Sequence, residues 1–309
     1  MIQVSHLTKR FGEKLAVEDL SFEVAPGTVT GFLGPNGAGK TTTLRLIVGL
    51  ASPDKGSATI DGIAYGELPA PCRHVGALLD AKAYHPGRKA RDHLLVLAKA
   101  SRIPAKRADE VLDLVGLSDV AGHRAGTFSL GMSQRLGIAA ALLGDPPVLL
   151  FDEPVNGLDP EGILWVRTLL QRLAAQGRTV FVSSHLMSEM ALTATHVIVI
   201  GRGHLIADST VEDLIRQTSG SVVRLRTPNA ELVQPKLEAA GATVSAGADG
   251  ALIVSGLRPS AVGDVVFQAG APVHELSPVE ASLEEAFMEL TRDDFEFQAR
   301  GLAPAAAAP

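Results

Sequence analysis

The stretch Gly34-Pro-Asn-Gly-Ala-Gly-Lys-Thr41 lies between a short apolar run at Val29–Leu33 and a helix-like pattern at residues 42–50. This spacing of Gly, Lys and Thr between a strand and a helix is the pattern of a phosphate-binding loop. Glycines let the backbone N–H groups point at phosphate oxygens, and the following helix adds its positive N-terminal end. The stretch therefore predicts a nucleotide site on an α/β fold.

Two side chains of this phosphate-binding loop have predicted roles of their own. Lys40 is expected to reach the β- and γ-phosphates, and the Thr41 hydroxyl to bind Mg²⁺. The loop alone therefore predicts a nucleotide and Mg²⁺. The residues expected to contact the nucleotide are Gly34, Pro35, Asn36, Gly37, Ala38, Gly39, Lys40, Thr41 and Thr42.

A pair of carboxylates follows a second apolar run, at Asp152 and Glu153. Parallel sheets place ligand groups at the carboxyl ends of their strands. Asp152 suits Mg²⁺ binding, and Glu153 suits a general base that polarises water for attack on the γ-phosphate. The alternative is that the pair caps the next turn or helix. The phosphate-binding loop favours the catalytic interpretation, and His185, at the end of a further apolar strand, suits contact with the γ-phosphate and the attacking water.

The run Phe128-Ser-Leu-Gly-Met-Ser-Gln-Arg135, here called the signature segment, resembles the Leu-Ser-Gly-Gly-Gln signature of ABC ATPases and the Gln-Arg after it. The matching residues are Ser129, Gly131, Gln134 and Arg135. The departures are Phe128, Leu130 and Met132. The chemistry of a serine hydroxyl and backbone N–H groups at a helix N-terminus is retained.

This resemblance implies a P-loop NTPase cassette with a parallel-sheet core, an antiparallel β subdomain and a helical subdomain. It also implies a head-to-tail dimer around two ATP molecules. Each ATP would lie between the phosphate-binding loop of one subunit and Ser129, Gly131 and Met132 of the other.

The resemblance further assigns roles to three residues outside the signature segment. Asp159 matches the loop that couples the two ATP sites, and His185 matches the switch histidine. Phe11 matches the aromatic residue that stacks on adenine, and core packing is the alternative for that side chain.

Asp80 stands where the family usually has a glutamine in the loop after the third strand of the cassette. A carboxylate can still bind Mg²⁺, so Asp80 joins Thr41 and Asp152 as a candidate metal ligand. The variant signature, Asp80 and the extension ending at residues 282–291 are similar to the ATP-binding subunits of bacitracin- and daunorubicin-type multidrug exporters. This similarity implies a subunit at the cytoplasmic face of the membrane that powers export of a drug, antibiotic or other amphipathic compound through a separate permease.

Two other functions are open to an ABC ATPase: action on ribosomes or DNA, and regulation by nucleotide binding alone. The chain has 28 basic and 34 acidic residues, a net charge of −6, and no long basic block, so no nucleic acid partner is expected. Intact Glu153 and His185 argue for hydrolysis. The single cysteine, Cys72, suits a reducing compartment, and no apolar run reaches the length of a membrane span.

The 309 residues divide into three predicted parts. Residues 1–216 are the expected cassette. Residues 221–291, after a linker at 217–221, are expected to form a small ferredoxin-like α+β domain in the order β-α-β-β-α-β. Its last strand is predicted at residues 273–276 and a final helix at 279–291. Residues 300–309, rich in Ala and Pro, are predicted to be a disordered tail.

Overall fold

The computed structural model describes residues 1–218, 222–247, 249–279 and 282–291. The predicted tail at 300–309 and most of the predicted linker lie outside these ranges. The chain divides into two compact units, one formed by residues 1–210 with Leu290 and Thr291, and one by residues 211–289. The division falls six residues before the predicted end of the cassette. None of the helices in the described ranges is long and apolar enough to cross a membrane.

The first unit contains nine strands and six α-helices among its described residues. The strands are β1 (Ile2–Phe11), β2 (Lys14–Val24), β3 (Val29–Leu33), β4 (Lys55–Ile60), β5 (Val75–Leu78), β6 (Val148–Asp152), β7 (Thr179–Ser184), β8 (His196–Gly201) and β9 (His204–Thr210). The helices are α1 (Lys40–Ile47), α2 (Ala90–Ala100), α3 (Lys106–Leu114), α4 (Leu130–Leu142), α5 (Pro160–Ala175) and α6 (Met187–Thr193).

A six-stranded sheet in the order β5-β6-β7-β3-β8-β9 forms the centre of this unit. Its first five strands are parallel, as predicted, and β9 adds an antiparallel edge. The inner strands are buried along nearly their whole length, which explains their continuous apolar sequence. The register sets Leu33 beside Ser184 and Asp152 beside Ser183, so the ends of β3, β6 and β7 meet at one edge.

An antiparallel sheet in the order β2-β1-β4 packs on the central sheet through aromatic rings. Phe22 of β2, Phe32 of β3 and Phe181 of β7 are buried, with ring centroids 5.0 to 5.6 Å apart. Such contacts add to the free energy gained by burying large apolar rings. Helices α2, α3 and α4 form the predicted helical subdomain. In it, Arg91 makes a bidentate ion pair with Asp109, at 2.6 and 2.8 Å.

The second unit has the predicted β-α-β-β-α-β order, flanked by a helix on each side. Its elements are α7 (Val211–Thr218), β10 (Val222–Arg226), α8 (Ala230–Ala239), β11 (Thr243–Ala246), β12 (Leu252–Ser255), α9 (Pro259–Gln268), β13 (Glu275–Pro278) and α10 (Leu283–Leu290). The strands form an antiparallel sheet in the order β11-β12-β10-β13. Its core holds the alternate residues Val223, Leu225 and Val254.

The predicted last strand and last helix were wrong in their bounds. The strand is at Glu275–Pro278, not 273–276, and the Val279 N–H still donates to the Val222 carbonyl at 2.8 Å, which extends the ladder. The helix therefore cannot begin at 279. It begins after Ser282, where Ser282 and Glu285 exchange backbone-to-side-chain hydrogen bonds of 2.7 and 3.1 Å as a capping box.

Candidate nucleotide-binding site

The phosphate-binding loop runs from the end of β3 into α1, as its sequence predicts. Gly37 and Gly39 have φ values of +85° and +107°, which glycine adopts without strain. A Cβ on Gly39 would collide with the Ala16 carbonyl oxygen, and one on Gly34 would come within 2.6 Å of the Ile200 carbonyl oxygen. The loop thus passes close to neighbouring backbone at positions where only glycine fits.

The Lys40 side chain is held inside this loop and is only 7% exposed. Its ammonium group donates to the Gly34 carbonyl at 2.6 Å and to the Pro35 carbonyl at 3.4 Å. Burial lowers the pKa of Lys40, and the negative charges of Glu153 and Asp152 oppose that shift. The structure therefore brings the predicted phosphate ligand and the predicted acidic pair into one electrostatic site.

Asp152 is bound on both carboxylate oxygens by hydroxyl groups. The Thr41 hydroxyl donates to Oδ2 at 2.7 Å, and the Ser183 hydroxyl donates to Oδ1 at 2.5 Å. Thr41 and Asp152 offer a hydroxyl and a carboxylate side by side, which is a donor set that Mg²⁺ accepts when phosphate oxygens complete its shell. Within the described ranges, no group of three or more His, Cys, Asp or Glu residues is suited to a metal.

Glu153 follows Asp152 with a backbone φ of +50°, in the left-handed region that residues other than Gly, Asn and Asp rarely adopt. Its N–H lies 3.0 Å from the Ser183 hydroxyl oxygen and 3.3 Å from the Ser183 carbonyl oxygen. Its Oε2 lies 2.7 Å from Nδ1 of His185. The left-handed turn therefore accompanies a direct contact between the Glu153 carboxylate and the His185 imidazole, two groups that can hydrogen-bond to water.

The signature segment forms the N-terminus of α4. The Ser129 hydroxyl accepts from the Met132 N–H at 3.2 Å and caps the helix. Leu130 covers the turn at Gly157, where φ is +72° and a Cβ would collide with the leucine side chain. Asp159 caps α5 by accepting from the Gly162 N–H at 2.8 Å. The signature segment and the loop that contains Asp159 thus pack against each other within one chain.

Phe11 and Asp80, two residues with predicted roles in ATP and Mg²⁺ binding, differ in their surroundings. The Phe11 ring is 54% exposed at the end of β1, which argues against core packing, and the Lys9 ammonium lies 5.4 Å from the ring centroid. Asp80 accepts from the Lys82 N–H at 2.8 Å, and the side-chain bonds found for it in the described ranges stay in its own loop. The structure does not join Asp80 to Thr41 or Asp152 by a hydrogen bond, so its role as a metal ligand stays a prediction.

Several contacts of the site were not predicted from the sequence, although Gln134 was matched as part of the signature segment. Ser183 holds both Asp152 and Glu153, and Gln134 of α4 donates to the Glu153 carbonyl at 3.3 Å. Lys14 and Arg202 line a cavity of about 230 Å³ together with Pro35, Asn36, Gly37 and Ala38 of the loop. A serine two residues before His185 on a strand next to the acidic pair was the available signal for Ser183.

Comparison with known proteins gives consistent matches. The model of the ABC transporter family matches residues 17–156, and that of a domain of unknown function, DUF8746, matches residues 221–284. The ABC transporter ATP-binding protein YhcH of Bacillus subtilis (strain 168) is 41% identical over 216 residues, which are 69% of this chain and 71% of YhcH. The bacitracin transport ATP-binding protein BcrA of Bacillus licheniformis is 42% identical over 217 residues, with the same coverage of 69% and 71%.

A solved structure also resembles the first unit. It is a dimeric ATP-binding cassette in a post-hydrolysis state bound to ADP and Pi, with a TM-score of 0.62 and 27% identity. The match covers 68% of this chain and 98% of that one.

Proposed function

Because this chain belongs to the ABC transporter family, as an ATP-binding subunit, we propose that its ATP hydrolysis uses Glu153 as the general base and powers export through a separate membrane permease. The observation that carries the proposal is the meeting of Lys40, Asp152 and Glu153 at the carboxyl ends of β3 and β6. Three groups of the required chemistry, a phosphate ligand, a metal ligand and a base, thus share one edge of the sheet.

The phosphates of ATP would lie over the phosphate-binding loop. Lys40 would exchange its bonds with the Gly34 and Pro35 carbonyls for bonds with phosphate oxygens. Thr41 and Asp152 would hold Mg²⁺, which supplies charge neutralisation at the β- and γ-phosphate oxygens when bound. Phe11 would stack on the adenine ring, and Asp80 would lie near the metal.

Glu153 would take a proton from water as the water oxygen forms a bond to the γ-phosphorus. The bond from that phosphorus to the bridging oxygen breaks, so the products are ADP and phosphate. The nearby His185 nitrogen, 2.7 Å from the Glu153 carboxylate, orients that carboxylate and can contact the γ-phosphate. The short distance supports a shared role for the two side chains.

A second copy of the chain would complete each site. Its Ser129, Gly131 and Met132 would place a hydroxyl and backbone N–H groups against the γ-phosphate, and Asp159 would couple the two sites. The dimeric state of the matched cassette supports this arrangement. We place the assembly at the cytoplasmic face of the membrane, and the bacitracin transport relative supports a drug, antibiotic or other amphipathic compound as the exported substrate.

The Glu153→Gln substitution tests this proposal. The variant should bind ATP, shift to a dimer in size-exclusion chromatography with ATP, and hydrolyse ATP at least ~100-fold more slowly than the wild type. Glu67→Gln is the matched control, because Glu67 is exposed and lies far along the chain from the loop and the acidic pair. Wild-type turnover in Glu153→Gln would remove Glu153 from its proposed role, and a persistent monomer with ATP would contradict the dimer.

A further inference from the structure

Gln134 joins the helix of the signature segment to the backbone of Glu153. It lies in the second turn of α4, is only 5% exposed, and donates from Nε2 to the Glu153 carbonyl at 3.3 Å. Its Oε1 is buried and has no hydrogen-bond partner among the residues that the structure describes. Burying an amide oxygen without a partner costs stability, so an apolar side chain would fill this place better if packing were its purpose.

The Glu153 backbone needs support from outside, because its φ of +50° is a strained conformation for a glutamate. Ser183 of β7 supports this backbone, because its hydroxyl oxygen accepts a hydrogen bond from the Glu153 N–H. The Glu153 carbonyl accepts from the Asn156 N–H at 3.2 Å and from Gln134. Among the described residues, Gln134 is the side chain that reaches this carbonyl from another element.

The first turns of α4 are themselves fixed by hydrogen bonds and packing. The Ser133 hydroxyl donates to the Ser129 carbonyl at 2.9 Å and lies 2.7 Å from the Tyr84 hydroxyl. Leu130 packs over the turn at Gly157. A shift of the signature segment would therefore move Gln134 with it, because both belong to one braced stretch of helix.

We propose that Gln134 is a positioning residue that sets the Glu153 backbone of its own chain from the signature helix. The inference rests on the proposed function, in which Ser129 contacts the ATP of the partner while Glu153 acts on the ATP of its own loop. Gln134 then links the two ATP sites through a single chain. It acts through the Glu153 carbonyl, to which it donates.

The test uses the full-length chain with Gln134→Met, which keeps the length of the side chain and removes the donor. We expect kcat for ATP hydrolysis to fall roughly 10- to 100-fold, as for a misplaced catalytic group, with KM for ATP unchanged. In the Glu153→Gln background the same substitution should leave ATP-driven dimer formation intact. The matched control is Gln171→Met, which removes a similar bond of 2.9 Å to the Leu192 carbonyl on the outside of α5 and should keep wild-type turnover.

Mixed dimers test whether Gln134 acts within its own chain. Two copies with different affinity tags are purified together, one of them carrying Glu153→Gln. Gln134→Met should lower turnover when it is on the copy with intact Glu153 and leave turnover unchanged on the other copy. Equal losses in both placements, or wild-type kcat in Gln134→Met, would overturn the proposal.

Two further measurements keep the outcome decisive. If Gln134→Met does not fold, Gln134→Leu replaces it, because it also lacks the donor and buries no charge. If Glu153→Gln itself hydrolyses ATP normally or fails to dimerise, the proposed function fails whatever Gln134 does. If ATP-driven dimer formation is lost only when Gln134→Met is added, Gln134 instead supports the structure of the signature helix. That result would overturn the positioning role.

Discussion

Ser183 offers a sharp test of how the acidic pair is held. Its hydroxyl donates to Asp152 at 2.5 Å and lies 3.0 Å from the Glu153 N–H, so one buried side chain serves both carboxylate residues. The Ser183→Ala substitution removes both contacts and leaves no large cavity. We expect losses of both stability and turnover.

The stability loss follows from what remains after the substitution. Asp152 keeps the Thr41 hydroxyl at 2.7 Å, and the Glu153 N–H keeps the Ser183 carbonyl at 3.3 Å, so neither group is left without a partner. The loss is then that of one hydrogen bond to a charged group, about 2 kcal/mol of unfolding free energy. In a unit of this size that corresponds to roughly 4–8 °C in the unfolding midpoint. Looser control of Glu153 should lower kcat about tenfold, or about 1.4 kcal/mol in the barrier.

The assay can isolate the first unit, because Trp165 is the one tryptophan of the chain and lies in α5. Its fluorescence follows unfolding of that unit, and phosphate release follows turnover. Ser184→Ala is the matched control: Ser184 is the next residue on β7, equally buried, and its hydroxyl accepts from the Leu186 N–H at 3.0 Å. It should cost about 1 kcal/mol of stability while turnover stays within about twofold of the wild type.

Two results would refute this reasoning about Ser183. One is a Ser183→Ala variant whose unfolding midpoint and turnover both match the wild type. The other is a Ser184→Ala variant that loses as much turnover as Ser183→Ala, because the loss would then come from general damage to β7.

Two more predictions concern Lys40 and Asp159. Burial lowers the pKa of Lys40 in the free protein, and a bound triphosphate should raise it. ATP binding should therefore take up protons at alkaline pH. The affinity for ATP should fall as the pH rises through the pKa that Lys40 has in the free protein. Calorimetry in two buffers of different ionisation enthalpy measures this uptake; Lys40→Arg should show none, and buffer-independent heats in the wild type would contradict the prediction. Asp159→Ala should destabilise the first unit by about 1 kcal/mol through loss of the α5 cap, whereas Asp159→Asn should retain most of that stability. Trp165 fluorescence measures both variants, and equal midpoints for Ala and Asn would contradict the capping role.

The parts of the site that the sequence predicts are those fixed by local geometry. The phosphate-binding loop is readable because positions such as Gly39 tolerate only glycine, and the acidic pair is readable because it ends an apolar strand. The contacts of Ser183 and Gln134 with the acidic pair cannot be predicted in this way. Ser183 supports Asp152 only because β6 and β7 pair, and Gln134 reaches Glu153 only because α4 packs beside that edge.

The fold shows the same division between local and tertiary control. The parallel core and the β-α-β-β-α-β order can be predicted because strand patterns alternate with helix patterns along the chain. The family comparison confirms the cassette. Strand β9 was not predicted, because its residues are mostly exposed or half-buried and lack a continuous apolar run. The start of α10 was misplaced because Val279 pairs with β10, a contact between distant segments that no local pattern displays.

The left-handed backbone at Glu153 has an evolutionary consequence. Gly and Asn fit that conformation better than Glu, by about 1 kcal/mol, so the position is a compromise between stability and chemistry. A duplicated copy of this cassette that needed only to bind ATP would be free to gain stability by replacing Glu153. Divergent paralogues that have lost hydrolysis should therefore accumulate small or amide side chains at this position and become more stable as they lose activity.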